Sequence, residues 1–138
     1  MEELQDQRTE ETALSATTVF ASLAELRDAP GYSPKAITTR LINSLGADAA
    51  APLLGVGQDI LERWAAGQDA PDAAGRLQLA DLDALVGHLH SAFTPAQAML
   101  WMCGHDVHLN ARPLDVYRSR GSAPVIGAIH AWAQEAPG

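Results

Sequence analysis

Regularly placed proline and glycine residues divide the chain after residue 30 into short segments, and this punctuation limits the fold more than any other feature. Proline is favoured in the first turn of a helix, and glycine just beyond its last turn. Ser33-Pro34 and Thr94-Pro95 have the form of helix starts, while Gly46 and Gly67 follow apolar residues at helical spacing. The sequence therefore predicts an all-α compact helical bundle with short connections.

Apolar residues that recur every three or four positions define the predicted helices. Ile37, Leu41 and Leu45 mark the first helix after Ser33, and Trp64 faces inwards from a later one. The longest helix carries a stripe of Leu79, Leu82, Val86 and Leu89, which Phe93 extends. The predicted helices cover residues 14–26, 34–45, 47–54, 58–66, 72–90, 95–103, 112–117 and 123–134.

These segments fall into three parts along the chain. Residues 1–31 combine an acidic tail with the amphipathic helix at 14–26. Residues 32–71 form a region like a helix-turn-helix, and residues 72–138 form a small helical C-terminal half. The sequence leaves open whether the helix at 14–26 packs on the body of the chain, on a second copy or on a partner.

Composition argues against several classes of protein. The formal net charge of −8 leaves few Lys and Arg side chains to neutralise phosphates, so strong binding to DNA by this chain alone is disfavoured. No apolar stretch approaches the roughly 20 residues that cross a bilayer, and the acidic N-terminus is unlike a secretory signal. Cys103 is the only cysteine, so no intrachain disulfide forms. We expect a cytoplasmic protein that does not bind membranes.

Residues with potential metal-binding or nucleophilic chemistry are few and loosely spaced. One thiol, Cys103, does not match the paired thiolates of a structural zinc site. A nucleophile–base pair needs a geometry that the spacing does not specify, and no glycine-rich phosphate loop occurs. We predict no metal, no cofactor and no enzymatic activity. The histidines that could join Cys103 as metal ligands or as a base are His88, His90, His105, His108 and His130.

Residues 47–71 have the spacing of a helix-turn-helix, in which the second helix projects one face outwards. Two short helices meet at Gly55-Val56-Gly57. Carboxylates repel phosphate, so Gln58 and Arg63 are the candidate contacts to DNA. A scaffold role for the helix pair is the favoured alternative. The projecting positions are Gln58, Asp59, Glu62 and Arg63.

The C-terminal third is dense in large and basic side chains. Trp, Met and Arg are enriched at protein interfaces. Trp101 and Trp132 also suit a core, whereas Arg112, Arg118 and Arg120 are harder to assign to one. The pattern favours a surface that binds another protein.

Two motifs resemble the Xre/MbcA/ParS-type antitoxins, which are partners of RES-domain toxins. The first is Arg63-Trp64, followed by Gly67 and Pro71, at the end of the helix-turn-helix. The second is Leu100-Trp101-Met102, a short loop, Arg112-Pro113-Leu114-Asp115, Gly121 and an apolar final helix. The resemblance covers about residues 36–138. Val116-Tyr117 departs from it, because a leucine stands there in the family.

The resemblance implies a type II antitoxin that binds and occludes the active site of an NAD-degrading RES-domain toxin. It also implies a homodimer, or a higher hetero-oligomer with the toxin. Glu135 or the terminal carboxylate is expected to engage cationic groups that otherwise hold the NAD pyrophosphate. The alternatives are a helix-turn-helix transcriptional (auto)regulator and a scaffold without a toxin. The residues expected to bind the toxin are Arg112, Pro113, Asp115, Arg118, Arg120, Trp132, Glu135 and Gly138.

Overall fold

The computed structural model describes residues 30–135, and the regular structure within them is helical. A 3-10 turn at Pro30–Tyr32 precedes seven α-helices, and the described residues contain no strand. The predicted all-α fold is therefore confirmed. The predicted helix at 14–26 lies outside the described residues. The α-helices are α1 (Pro34–Leu45), α2 (Ala47–Leu54), α3 (Gln58–Ala66), α4 (Ala73–Ala92), α5 (Pro95–Cys103), α6 (Pro113–Arg120) and α7 (Ser122–Glu135).

Local capping accounts for most of the helix boundaries. The Ser33 hydroxyl accepts a hydrogen bond from the Ala36 N–H at 3.1 Å at the start of α1. Thr94 and Gln97 form a reciprocal capping box at the start of α5, with distances of 3.0 and 3.2 Å. Gly67 ends α3 in the left-handed conformation that glycine adopts without steric cost.

The break between α6 and α7 is shorter than predicted. The sequence predicted a last helix from residue 123 and a break over Gly121-Ser122, but Gly121 alone separates the two helices. Gly121 has a φ of +82° and donates its N–H to the Tyr117 carbonyl. Ser122 is already helical because the Asp81 carboxylate on α4 accepts its N–H at 3.0 Å and also accepts its hydroxyl proton. A carboxylate is favourable at the positive N-terminal end of a helix.

Helix α4 is the centre of the bundle. Helices α1, α2, α5 and α7 all pack against it. Its predicted stripe is buried, and Leu85, which the prediction omitted, is buried with it. On α7, Val125 and Ile129 are the matching buried residues. None of the helices between residues 30 and 135 combines the length and the apolarity that crossing a bilayer requires.

The hydroxyl of Thr38 is a buried polar group in this core that destabilises the fold. Thr38 is fully buried, and its Oγ1 has no hydrogen-bond partner among the described residues. We expect Thr38→Val to raise the free energy of unfolding by about 1 kcal/mol, because valine has a similar shape and removes an unsatisfied polar atom. Urea unfolding measures the change.

Thr39→Val is the matched control for this substitution. Thr39 is exposed and its hydroxyl donates to the Lys35 carbonyl at 2.8 Å. Its replacement should shift the free energy of unfolding by no more than about 0.5 kcal/mol. A Thr38→Val variant that is less stable than the parent would contradict the assignment.

Candidate protein-binding surface

One face of α5 is apolar and points to solvent. Ala98 and Met102 face the core. On the opposite side the exposed fractions are 53% for Met99 and 76% for Leu100, and Val107 in the following loop is 79% exposed. Residues three and four apart share a helix face. We call this face the α5 surface, and it consists of Ala96, Met99, Leu100 and Cys103.

The α5 surface differs from an ordinary solvated helix face. A surface helix normally carries charged and polar side chains on its outer side, but α5 contains no charged residue. Exposed apolar side chains that share one helix face are a common feature of interaction sites. The arrangement is therefore suited to contact with another protein.

An arginine–carboxylate pair borders this surface. Arg112 donates to both carboxylate oxygens of Asp115, from Nε at 3.1 Å and from Nη2 at 2.8 Å. The hydrogen bond raises the pKa of Arg112 and lowers the pKa of Asp115, with the charge of Arg118 adding to the second effect. Arg112 immediately precedes α6, which packs against α5, so the pair adjoins the helix that carries the α5 surface.

Three aromatic rings join α5 to the end of α7. The Phe93 ring lies 5.5 Å from the Trp101 ring and 4.6 Å from the Trp132 ring, measured between centroids. Phe93 is buried, whereas Trp132 is 39% exposed. Trp132 therefore packs on one face and presents its remaining surface to solvent beside α5.

A second link ties the loop after α5 to α7. The His108 Nε2 and the Glu135 Oε1 lie 2.9 Å apart, and the His108 Nδ1 lies 3.7 Å from the Asp106 carboxylate. The hydrogen bond to Glu135 is the main cause that raises the pKa of His108 above its ordinary value of 6.5. The buried Asp106 side chain accepts the Leu109 N–H at 3.0 Å and holds the loop in shape.

The structure separates the predicted toxin-binding residues into groups. Asp115 and Arg118 lie on α6 and Arg112 immediately precedes it, next to α5. Pro113 is fully buried as the first residue of α6, so it shapes the surface from beneath and is not part of it. Arg120 is exposed at the last turn of α6. Trp132 and Glu135 make the α7 contacts described above, and Gly138 lies outside the described residues.

Sequence reasoning did not assign Met99 and Leu100 to the site. Their exposure depends on which side of α5 meets the core, and apolar residues occur all around this helix. The sequence signal that could have indicated this surface was the absence of charged residues from α5. A helix without a charged face is expected to make apolar contacts on more than one side.

The outer face of α3 is a poor match to DNA. Gln58, Asp59, Glu62 and Arg63 are exposed, as the helix-turn-helix prediction requires, while Leu61 and Trp64 are buried. Arg63 lies 3.9 Å from Asp69, so its charge is partly offset by a carboxylate. Phosphate binding by this face is opposed by its acidic side chains.

Two further results bear on the chemistry of the site. In the part of the chain that the structure describes, no three His, Cys, Asp or Glu side chains are grouped so that they could hold a metal ion.

Comparison with protein-family models, curated proteins and solved structures finds no match to this chain. The resemblance to antitoxins therefore rests on the two sequence motifs.

The link between His108 and Glu135 predicts a titration that NMR can follow. Because the pKa of His108 is raised in the folded state, the link stabilises the fold fully below pH 6.5 and is lost as the pH rises through the folded pKa. We expect Glu135→Gln to bring the pKa of His108 back towards 6.5, since the main cause of the shift is removed.

Glu62→Gln is the control, because it removes an exposed carboxylate from α3. It should leave the His108 titration unchanged. A His108 pKa that is at or below 6.5 in the parent chain would contradict the geometry.

Proposed function

We propose that this protein is the antitoxin of a type II toxin–antitoxin pair, and that it binds and occludes the active site of an NAD-degrading RES-domain toxin. The observation that supports the proposal most strongly is the α5 surface. It lies in the second of the two antitoxin-like motifs, where Leu100 is 76% exposed and no charged residue stands on the helix.

The composition of this region suits a protein interface. Such interfaces have an apolar centre that excludes water and a polar rim, with Trp, Met and Arg enriched. Met99 and Leu100 supply the apolar centre. Arg112 and Asp115 supply a rim in which the guanidinium is already oriented by two hydrogen bonds, so little side-chain entropy is lost on binding.

The charge of the chain supports occlusion of a nucleotide site. A site that binds the pyrophosphate of NAD presents cationic groups. A protein with a formal net charge of −8 is attracted towards such a site, which raises the association rate. Glu135 lies 2.9 Å from a single histidine and its side chain is 68% exposed, so it is accessible to a cationic partner. Occlusion of this kind is steric and requires no reacting group on the antitoxin.

Transcriptional regulation through α3 is the alternative function. It requires contacts from Gln58 and Arg63 to DNA, against the charges of Asp59 and Glu62. We therefore assign α3 to the scaffold. Tight and salt-sensitive binding of the purified chain to its own promoter, without a partner, would favour the regulator instead.

Co-expression with the product of a neighbouring RES-type gene tests the proposal. The parent chain should restore both growth and cellular NAD. We expect Leu100→Arg to abolish this rescue, because a charge in the apolar centre of an interface costs about 2 kcal/mol or more of binding free energy. Growth, NAD concentration and co-purification are the measurements.

Ala66→Arg is the matched control. It adds the same charge at an exposed position near the C-terminal end of α3, where a cation is tolerated by the helix dipole. Rescue should persist in this variant, and circular dichroism should show both variants folded. If Leu100→Arg protected the cell as well as the parent chain does, the α5 surface would not be the toxin-binding site.

A further inference from the structure

The outer face of α4 carries a second stripe of uncharged side chains, which no other helix within residues 30–135 covers. Its residues alternate at spacings of four and three, which is the repeat by which one helix packs along another. All are exposed, and Leu77 is 73% exposed. We call this stripe the α4 seam, and it consists of Ala73, Leu77, Ala80, Ala84, Gly87 and Ser91.

Apart from Leu77, the side chains of the α4 seam are small, and none of them is charged. A Cβ atom built on Gly87 would meet no atom within 4 Å, so the space above it is open. Small side chains allow a second helix to approach closely, because the distance between helix axes depends on the residues at the contact. The seam is therefore suited to a helix whose own contact residues are large.

The chain enters the bundle next to this seam. The Gly31 carbonyl accepts a hydrogen bond from Arg40 at 3.1 Å, and Arg40 pairs with Asp83 on α4 at 2.9 Å. Gly31, Asp83 and Gly87 line one groove. The described part of the chain thus begins beside the Gly87 end of the seam.

We propose that residues 14–26 form a helix that packs along the α4 seam of the same chain, parallel to α4. Val19, Phe20, Leu23 and Leu26 fall on one face of this segment and supply the large side chains. A helix of this length spans about 20 Å, and the seam between Ala73 and Gly87 spans about 21 Å at the same rise per residue. The connection at 27–29 reaches roughly 10 Å, which is enough to join them.

Charge at the far end of the seam fits the same arrangement. In the parallel orientation Glu10 and Glu11 precede the helix at the Ala73 end. Arg76 is exposed there and offers these carboxylates a cationic partner, while Asp72 already caps the N-terminal end of α4. The antiparallel orientation would instead carry the segment beyond the end of α4 at Ala92.

This inference is independent of the proposed function. The α4 seam and the α5 surface share no residue, so substitutions in one leave the side chains of the other unchanged. A second copy of the chain, or a helix of another protein, is the competing occupant of the seam, and the experiment below distinguishes these from residues 14–26.

Disulfide trapping in the full chain tests the proposal. The background is Cys103→Ser, which removes the only native thiol, and Cys103 is exposed. With residue 26 beside Gly87, residue 23 lies beside Ala84. We expect Leu23→Cys with Ala84→Cys to form an intramolecular disulfide upon mild oxidation, in a yield that does not depend on protein concentration.

The control pair is Leu23→Cys with Ala66→Cys, which places the second thiol at an exposed position on α3. Its yield should be several-fold lower under the same conditions. Equal yields in the two pairs would overturn the proposal. A covalent dimer whose yield rises with concentration would also overturn it, and would assign the seam to a second copy.

Thiol accessibility gives a second measurement on the same background. In a chain with Ala84→Cys alone, a thiol that is covered nine-tenths of the time reacts about tenfold more slowly with a maleimide than an uncovered one. Adding Leu23→Asp should restore the faster rate, at every protein concentration. If the rate does not change upon addition of Leu23→Asp, residues 14–26 do not cover the seam.

Discussion

The contact between Asp81 and Ser122 determines how the C-terminal half of the bundle is arranged. The Asp81 carboxylate accepts both the N–H and the hydroxyl proton of Ser122, and so fixes the start of α7 on α4. A Cβ atom on Gly121 would lie 3.4 Å from the same carboxylate, and the φ of +82° there favours glycine. Tyr117 is buried in this region, where loss of solvation and the Asp81 charge raise its pKa to about 12. The direction of α7 then brings Trp132 over Phe93.

Within residues 30–135, the α5 surface and the α4 seam remain exposed once this packing is complete, and they differ in chemistry. The α5 surface presents long side chains such as Met99 and Leu100, with the Arg112–Asp115 pair beside it. Such a surface suits insertion into a concave partner. Apart from Leu77, the α4 seam consists of small side chains, which suits a helix packed lengthwise. One bundle can therefore hold its own N-terminal segment on one helix and present another helix to a partner.

The helix positions could be predicted because their boundaries are set locally. Ser33, Thr94 and Gly67 act through hydrogen bonds or backbone angles within a few residues, and these leave a recognisable pattern. The contacts of Asp81 with Ser122 and of His108 with Glu135 join residues far apart in sequence, so no local pattern specifies them. For the same reason, the sequence alone did not predict that Pro113 is buried or which side of α5 faces solvent. Both depend on how the helices pack together.

The central claim is that the α5 surface is the part of the molecule that meets another protein. Hydrogen exchange of the backbone amides, measured with and without the RES-domain toxin, tests it most directly. The account predicts slower exchange in α5, in the loop at 104–112 and at the end of α7, with no change in α3. Protection that is confined to α3 while α5 exchanges as before would contradict it.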